Sequence, residues 1–160
     1  MLLKLSFLTL TIGVFFIGLE WEEQLEIIDH YEEGLQVAQQ EDKPIFLLFT
    51  AHSCSNNQAI NACLRDNQEI INLLHEDFIT IRLRVDDSKP LAKVEKVEIE
   101  GKQISLKTYG QKWAALEKLM FDQNVQPLGV ILDQQGNQLS ETMAYNALKD
   151  RLLFELQNNR

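Results

Sequence analysis

The residue with the clearest capacity for chemistry is Cys54, in the stretch Thr50-Ala51-His52-Ser53-Cys54-Ser55-Asn56-Asn57. There the apolar run from Ile45 to Phe49 hands over to a segment with helical spacing. A cysteine at such a junction has its sulfur near the unpaired backbone N–H groups and positive dipole end of the helix, which favour thiolate over thiol. A thiolate attacks a disulfide to give a mixed disulfide, which a second thiol must then resolve. The position three residues on, where a dithiol site would carry that second thiol, is Asn57. Cys63 is a poor substitute: nine residues along a helix span about 13 Å, and a disulfide needs its α-carbons within about 7 Å. Cys63 reads instead as a small buried apolar residue. Any thiol chemistry here is therefore monothiol.

Other polar groups add little. His52 could support a Cys54 thiolate electrostatically, but a solvated loop histidine is the simpler reading, and the two together are too few ligands for a metal. His30 and His75 fall in helical stretches with no evident partner. Asp86 and Asp87 read as solvated acids in a strand-end turn rather than a cation site. Two cysteines make no disulfide scaffold, and no Cys/His cluster has the spacing of structural zinc. No metal and no cofactor are expected. A net charge of -9 without a basic run argues against nucleic acid and anionic membrane surfaces as partners.

The elements that must position Cys54 can be read from periodicity. With 160 residues, 45% of them hydrophobic, the chain supports one ordinary core. A helix is expected from an Asp29 N-cap to about Gln40, with Glu32 and Glu33 in its first turn. Ile45 to Phe49 is too short for an ordinary helix and reads as a strand buried on both faces. Helices follow over 57–64 and 68–75, broken near Asp66-Asn67. Residues 78–85 alternate with period two as a strand with one more polar face, so strand, helix, strand implies a right-handed parallel crossover. Within 88–108, Val97 and Ile99 are expected to face Ile104 and Leu106 in a small inserted hairpin. Trp113, Leu116, Leu119 and Met120 mark the apolar face of a helix over 109–121, with Trp113 in the core. The run 128–132 should turn back through 138–144 as a hairpin. A last helix follows, with Leu148, Leu152, Leu153 and Leu156 on its apolar face.

The first residues differ in kind. Lys4 precedes about fifteen uncharged apolar or small residues, Leu5 to Leu19, and the acidic patch Glu20, Glu22, Glu23 follows. A basic start and a short apolar run suit an export signal. The run would span roughly 22 Å against a hydrocarbon core of roughly 30 Å, so a permanent anchor would be marginal. No good small-x-small cleavage site precedes Glu20. Cleaved signal and uncleaved anchor both stay open, as does a buried N-terminal helix. The expected organisation is residues 1–19 as signal or anchor and 20–160 as one domain outside the cytoplasm, periplasmic or in the cell envelope.

The element order, with a cysteine after the first core strand and Pro127 just before the third, resembles the thioredoxin fold. The motifs Tyr31-Glu32-Glu33-Gly34-Leu35, Lys43-Pro44-Ile45-Phe46, Phe49-Thr50 before Cys54, Val85 to Leu91, Gly110-Gln111-Lys112-Trp113, Asn124-Val125-Gln126-Pro127 and Leu132-Asp133 with Gln135-Gly136 are similar to the exported thioredoxin-like domain of DsbD-type disulfide reductases. The resemblance covers about residues 21 to 157. It implies an α/β thioredoxin fold, a mixed sheet flanked by helices with a short insertion after the second core strand, and a cis bond before Pro127. It also implies exchange with protein or peptide thiols and disulfides, including a membrane redox partner. Cys54 becomes the candidate nucleophile. Ser53, Ser55, Asn57, Gln126 and Pro127 become the candidate substrate groove, with the Gln126 backbone pairing to an extended peptide. Two departures stand out. Asn57 replaces the resolving cysteine, and Leu48 replaces the buried carboxylate that such sites carry six residues before the first cysteine. Monothiol exchange and a redox-silent module that binds protein partners beside Pro127 are both open readings.

Overall fold

The computed structural model describes residues 25–160, so the expected signal or anchor and the acidic patch after it lie outside the described residues. In chain order the elements are β1 (Ile27–Ile28), α1 (Tyr31–Glu41), β2 (Ile45–Thr50), α2 (Ser55–Arg65), α3 (Gln68–Asp77), β3 (Ile79–Arg84), β4 (Pro90–Ile99), β5 (Lys102–Thr108), α4 (Tyr109–Phe121), β6 (Leu128–Leu132), β7 (Met143–Ala144) and α5 (Tyr145–Asn158). The main sheet runs β1-β3-β2-β6-β7. β2 lies at its centre, parallel to β3 and antiparallel to β6.

Every residue of β2 is buried, as a strand covered on both faces must be. Its alternation divides the core in two. Phe46 and Leu48 pack with Ile60, Leu64, Leu74, Leu148 and Leu152 beneath α2, α3 and α5. Ile45, Leu47 and Phe49 pack with Ala38 and Trp113 beneath α1 and α4. Full burial of each such large apolar side chain is worth about 1.5–3 kcal/mol, so this strand is the main hydrophobic anchor of both layers. Between α2 and α3 the chain breaks at Asn67, whose side chain accepts from the N–H groups of Glu69 and Ile70 and so caps α3. The thioredoxin fold expected from the sequence is the fold observed, with its mixed sheet flanked by helices.

Several local expectations are corrected. Asp29 does not cap α1; its carboxylate instead meets Arg82 at 3.4 Å and Arg84 at 3.7 Å. His30 takes the N-cap position without a side-chain cap bond, and its ring packs edge-on to Tyr109, centroids 4.8 Å apart. It therefore has the partner that the sequence did not suggest. The polar face of β3 is not open: Thr80 and Arg82 are buried, lying level with Phe46 and Leu48 on the layer covered by α2 and α3. Leu119 is 54% exposed, because six residues on from Trp113 it lies about 240° round the helix. The two-residue β1, too short to register as a periodic pattern, pairs with β3 as an extra edge. β7 likewise reduces the C-terminal hairpin partner to two residues.

The expected hairpin within 88–108 is present and longer than its pattern suggested, a separate two-stranded sheet of β4 and β5. Glu100 and Gly101 form its tip with φ values of 51° and 75°, the left-handed pair that a tight two-residue turn requires. Val97 opposes Ile104 as expected, whereas Leu106 opposes Glu95 and Ile99 opposes Lys102.

At the base of this insertion, α4 returns to the sheet through Gly110. A Cβ there would lie 2.6 Å from Asp87 N and 2.7 Å from the carbonyl oxygens of Val85 and Asp87. All three are backbone atoms, and Gly110 N donates to the Asp87 carbonyl at 2.9 Å. Gly110→Ala should therefore cost about 1–3 kcal/mol. At about 2–4 °C per kcal/mol for a domain of this size, calorimetry should read a lowered melting midpoint. An unchanged midpoint would contradict the close approach.

Candidate functional site

The register of β2 against β6 creates the site. Phe49 lies opposite Leu128 in an antiparallel pair, so the chain leaving β2 and the chain entering β6 meet at one sheet end. The first carries Ala51-His52-Ser53-Cys54 and the second Val125-Gln126-Pro127. The Gln126-Pro127 peptide is cis. Cys54 Sγ donates to the Gln126 carbonyl at 3.4 Å, so the expected nucleophile and the expected peptide-binding edge are in direct contact.

Cys54 is the N-cap residue of α2, with extended backbone angles of -93° and 118° and no side-chain cap bond, which leaves the sulfur directed at Gln126. Its thiol is half-buried, and Cys54 and Cys63 form no disulfide. The loop is held on two sides. Cys54 N donates to the Ala51 carbonyl at 3.3 Å, and Asn57 N donates to the Cys54 carbonyl at 3.1 Å. From the turn after β3, the Asp86 carboxylate accepts from Ser53 N at 3.3 Å and Ser53 Oγ at 3.5 Å. Partial burial tends to raise the Asp86 pKa. The backbone N–H groups of His52 and Ser53 and the nearby His52 ring outweigh that, holding the carboxyl below the usual aspartate range.

Ser53 and Ser55 flank the thiol on the exposed surface, and Pro127 is buried behind it. Asn57 behaves differently from a groove residue: its Nδ2 donates to the Ala51 carbonyl, tying the first turn of α2 to its own loop. Its Oδ1 is buried with no hydrogen-bond partner among the described residues. A cavity of about 290 Å³ opens on the β3 side of the loop, lined in part by His52, Asn57, Asn61 and Arg84. Cys54 faces the other way, toward the entrance of β6. Leu48 is fully buried in the layer of Ile60 and Leu64, so an apolar side chain fills the position of the expected carboxylate. Cys63 is half-buried rather than part of the core, since Ile60 and Leu64 define the inward face of α2 and Cys63 sits at its margin. His52 is exposed. Among the described residues no group of three His, Cys, Asp or Glu side chains could hold a metal ion.

Glu117 is the functional candidate that the sequence reading missed. It lies on α4, is fully buried, and accepts from Val125 N at 2.9 Å and from Gln126 Nε2 at 2.7 Å. Burial pushes its carboxyl above the ordinary range, and these two hydrogen bonds oppose the shift without cancelling it. A signal existed: Glu117 is four residues from Trp113, on the same helical face, where an apolar residue is the rule.

The Asp86 strap is testable. Asp86→Ala removes the acceptor for the His52 and Ser53 amides, so hydrogen exchange there should accelerate with little change in the core strands. Because the folded-state pKa of Asp86 is lowered, its contribution is complete above the ordinary aspartate value and is lost as pH falls through the lower folded value. Loop protection in the wild type should therefore fade only in strong acid, and equal protection in both proteins at neutral pH would rule out the strap.

Comparison with known proteins agrees with this architecture. A thioredoxin-like family model matches residues 26–104, a span that includes Cys54 and ends in β5. Anterior gradient protein 3 from Homo sapiens is 30% identical over 63 residues, 39% of this chain and 38% of that protein. The matches to the curated relatives thus span about two-fifths of their length. A thioredoxin from Thermus thermophilus superposes with a TM-score of 0.56 at 19% identity, covering 84% of this chain and 86% of its own. A disulphide isomerase from Xylella fastidiosa Temecula1 does so with a TM-score of 0.52 at 18% identity, covering 81% and 88%. Sheet order and solved structures agree on one assignment: this chain carries the thioredoxin fold, and its residues 26–104 are similar to the thioredoxin-like family model.

Proposed function

We propose that this chain is an extracytoplasmic thiol–disulfide exchange protein that works through Cys54 alone, in the manner of a DsbD-type thioredoxin-like domain with one thiol. The observation that supports the reading is the contact of Cys54 Sγ with the Gln126 carbonyl next to Pro127, the two residues proposed as nucleophile and as peptide-binding edge. An extended polypeptide pairs with the Gln126 backbone by strand addition, displacing the Cys54 thiol from the carbonyl. The Cys54 thiolate attacks one sulfur of the substrate disulfide; the S–S bond breaks, a mixed disulfide forms, and the departing thiolate takes a proton from solvent. An external thiol then attacks the mixed disulfide. The new disulfide joins that external thiol to the substrate sulfur, and Cys54 leaves as the thiolate and is reprotonated from solvent, so one external thiol resolves each mixed disulfide and the number of disulfides is conserved. Asn57 and Leu48 provide neither an internal resolving thiol nor a buried proton acceptor, which is why the second step is assigned to the partner.

The partners in this reading are protein or peptide thiols and disulfides, with a membrane redox protein as the upstream donor. Residues 1–19 deliver the domain across the membrane as signal or anchor, and N-terminal sequencing of the mature protein distinguishes the two. No nucleic acid, metal or cofactor takes part.

A redox-silent binding module is the second reading, favoured by the buried Leu48 and the Asn57 side chain committed to its own loop. Trapping separates the two. Under the exchange reading, rapid acid quenching and alkylation of cell extracts yield mixed disulfides that disappear on reduction and in Cys54→Ser. If Cys54→Ser captures partners as well as the wild type, while substitution of Gln126-Pro127 abolishes capture, the binding module stands and the exchange reading falls. The double change Asn57→Cys with Leu48→Asp should raise insulin reduction well above the wild type.

A further inference from the structure

The proposed exchange leaves a fully buried carboxylate, Glu117, without a role, and such a group is costly to keep. An ionised side chain removed from water loses its solvation, and an apolar residue of similar size on this face of α4 would pack against the same core at no such cost. Both oxygens of Glu117 are nevertheless engaged, and both engage the same short segment: Oε1 with the backbone N–H of Val125 and Oε2 with the side-chain amide of Gln126. Gln126 is also the residue whose carbonyl meets Cys54 Sγ.

We propose that Glu117 is a positioning residue that clamps Val125 and Gln126 from below, so that the Gln126 backbone presents a fixed edge to an extended peptide substrate beside Cys54. The inference rests on the peptide-binding reading of Gln126-Pro127. Three features support it. Val125 is exposed and Gln126 half-buried, so the segment that the buried carboxylate holds lies at the surface, where a partner can reach it. The clamp comes from a helix, a rigid element, rather than from the loop itself. It fixes one residue by two anchors of different kinds, a neighbouring backbone N–H and the residue's own side chain, which defines an orientation as well as a position. The side chain of Gln126 is thereby turned inward to α4, which leaves its peptide group for the substrate.

The role separates from a purely structural one by which readout moves. Removing a buried carboxylate that only held the fold together would affect every reaction of Cys54 alike. Removing one that positions the peptide edge should impair the peptide step selectively in the folded protein, even where the unpaired donors lower its stability. The probe is an unstructured cysteine peptide carrying a thionitrobenzoate disulfide, with free Ellman's reagent as the small-molecule control, both reacting with Cys54 in the full chain. Glu117→Leu should raise the peptide concentration for half-maximal rate about tenfold, in line with the loss of hydrogen bonds to a charged group. The limiting rate and the reaction with Ellman's reagent should stay within about twofold, both measured well below the variant's melting midpoint. Glu117→Gln should restore most of the peptide response, since its carbonyl can accept from Val125 N and its amide can donate to a rotated Gln126 side chain. Gln126→Met, which removes one anchor and leaves α4 unchanged, should raise the half-maximal concentration about threefold and serves as the measurement if Glu117→Leu does not fold. Unaltered peptide saturation in the folded Leu variant, or in Gln126→Met, overturns the clamp. So does a parallel loss of stability, peptide response and Ellman reactivity. A wild-type chain with no peptide saturation at all overturns the exchange reading and the clamp together, and is told apart by the wild type alone.

Discussion

The antiparallel register of β2 on β6 is the constraint on which the site depends. With Phe49 opposite Leu128, the loop after one strand and the loop before the other have no freedom to separate, and Cys54 lands on Gln126. The register is itself fixed by burial. Each strand is buried along its whole length, and a one-residue slip would exchange the two layers of side chains, placing Phe46 and Leu48 where Ile45 and Leu47 belong. The position of the thiol is thus set by the core and only trimmed by the loop.

The polar residues around the thiol divide into those that hold its loop and those that hold the opposing loop. Asp86, on an exposed turn, fixes Ser53 through backbone and side-chain bonds; Glu117, fully buried, fixes Val125 and Gln126. Their pKa values move in opposite directions for one reason. Both lose solvation, but Asp86 loses little and gains several N–H donors beside a histidine, whereas two hydrogen bonds leave Glu117 above its ordinary value. The interior position that a dithiol site would give to a carboxylate is apolar here, filled by Leu48. The carboxylates are placed around the two loops, and the buried charge beside Leu48 is the Arg82 guanidinium.

Much of this was legible in the sequence, because the signals were strong and local. The buried run of β2, the break at Asn67, the period-two pattern of β3 and the cysteine between a strand and a helix each follow from spacing. The order of elements identified the fold. Single side chains that serve a tertiary partner were less legible. Asp29 has the right type and place for an N-cap, yet two guanidinium groups on β3, more than fifty residues away in sequence, take its carboxylate. His30 and Glu117 likewise find their partners only after folding, the first across α4 and the second in the loop before β6. β1 and β7, two residues each, have too few alternations to carry a period. Thr80 and Arg82 alternate as an exposed polar face would, and only the helices laid over them make that face interior.

α4 is where these separate observations meet. Its first turn packs on the turn after β3 so closely that only Gly110 fits, and that turn carries the Asp86 strap to the thiol loop. Two turns later the same helix supplies Glu117 to the loop before β6. The two halves of the site come from different strands, but one helix holds both, so a shift of α4 would move the Cys54 loop and the Gln126 loop together rather than apart. The β4-β5 hairpin is inserted between the Asp86 turn and this helix, and Tyr109 N donates to the Lys89 carbonyl at 3.0 Å to close its base. That closure lets the chain carry a 19-residue excursion, Pro90 to Thr108, at a sheet end without loosening the support of the site. A helix used in this way fixes the relative geometry of Cys54 and Gln126, which the proposed exchange through one thiol and an external resolving partner would require. Under that proposal the partner would have to find Cys54 and Gln126 in fixed relation, because Asn57 stands where a second thiol would complete the reaction.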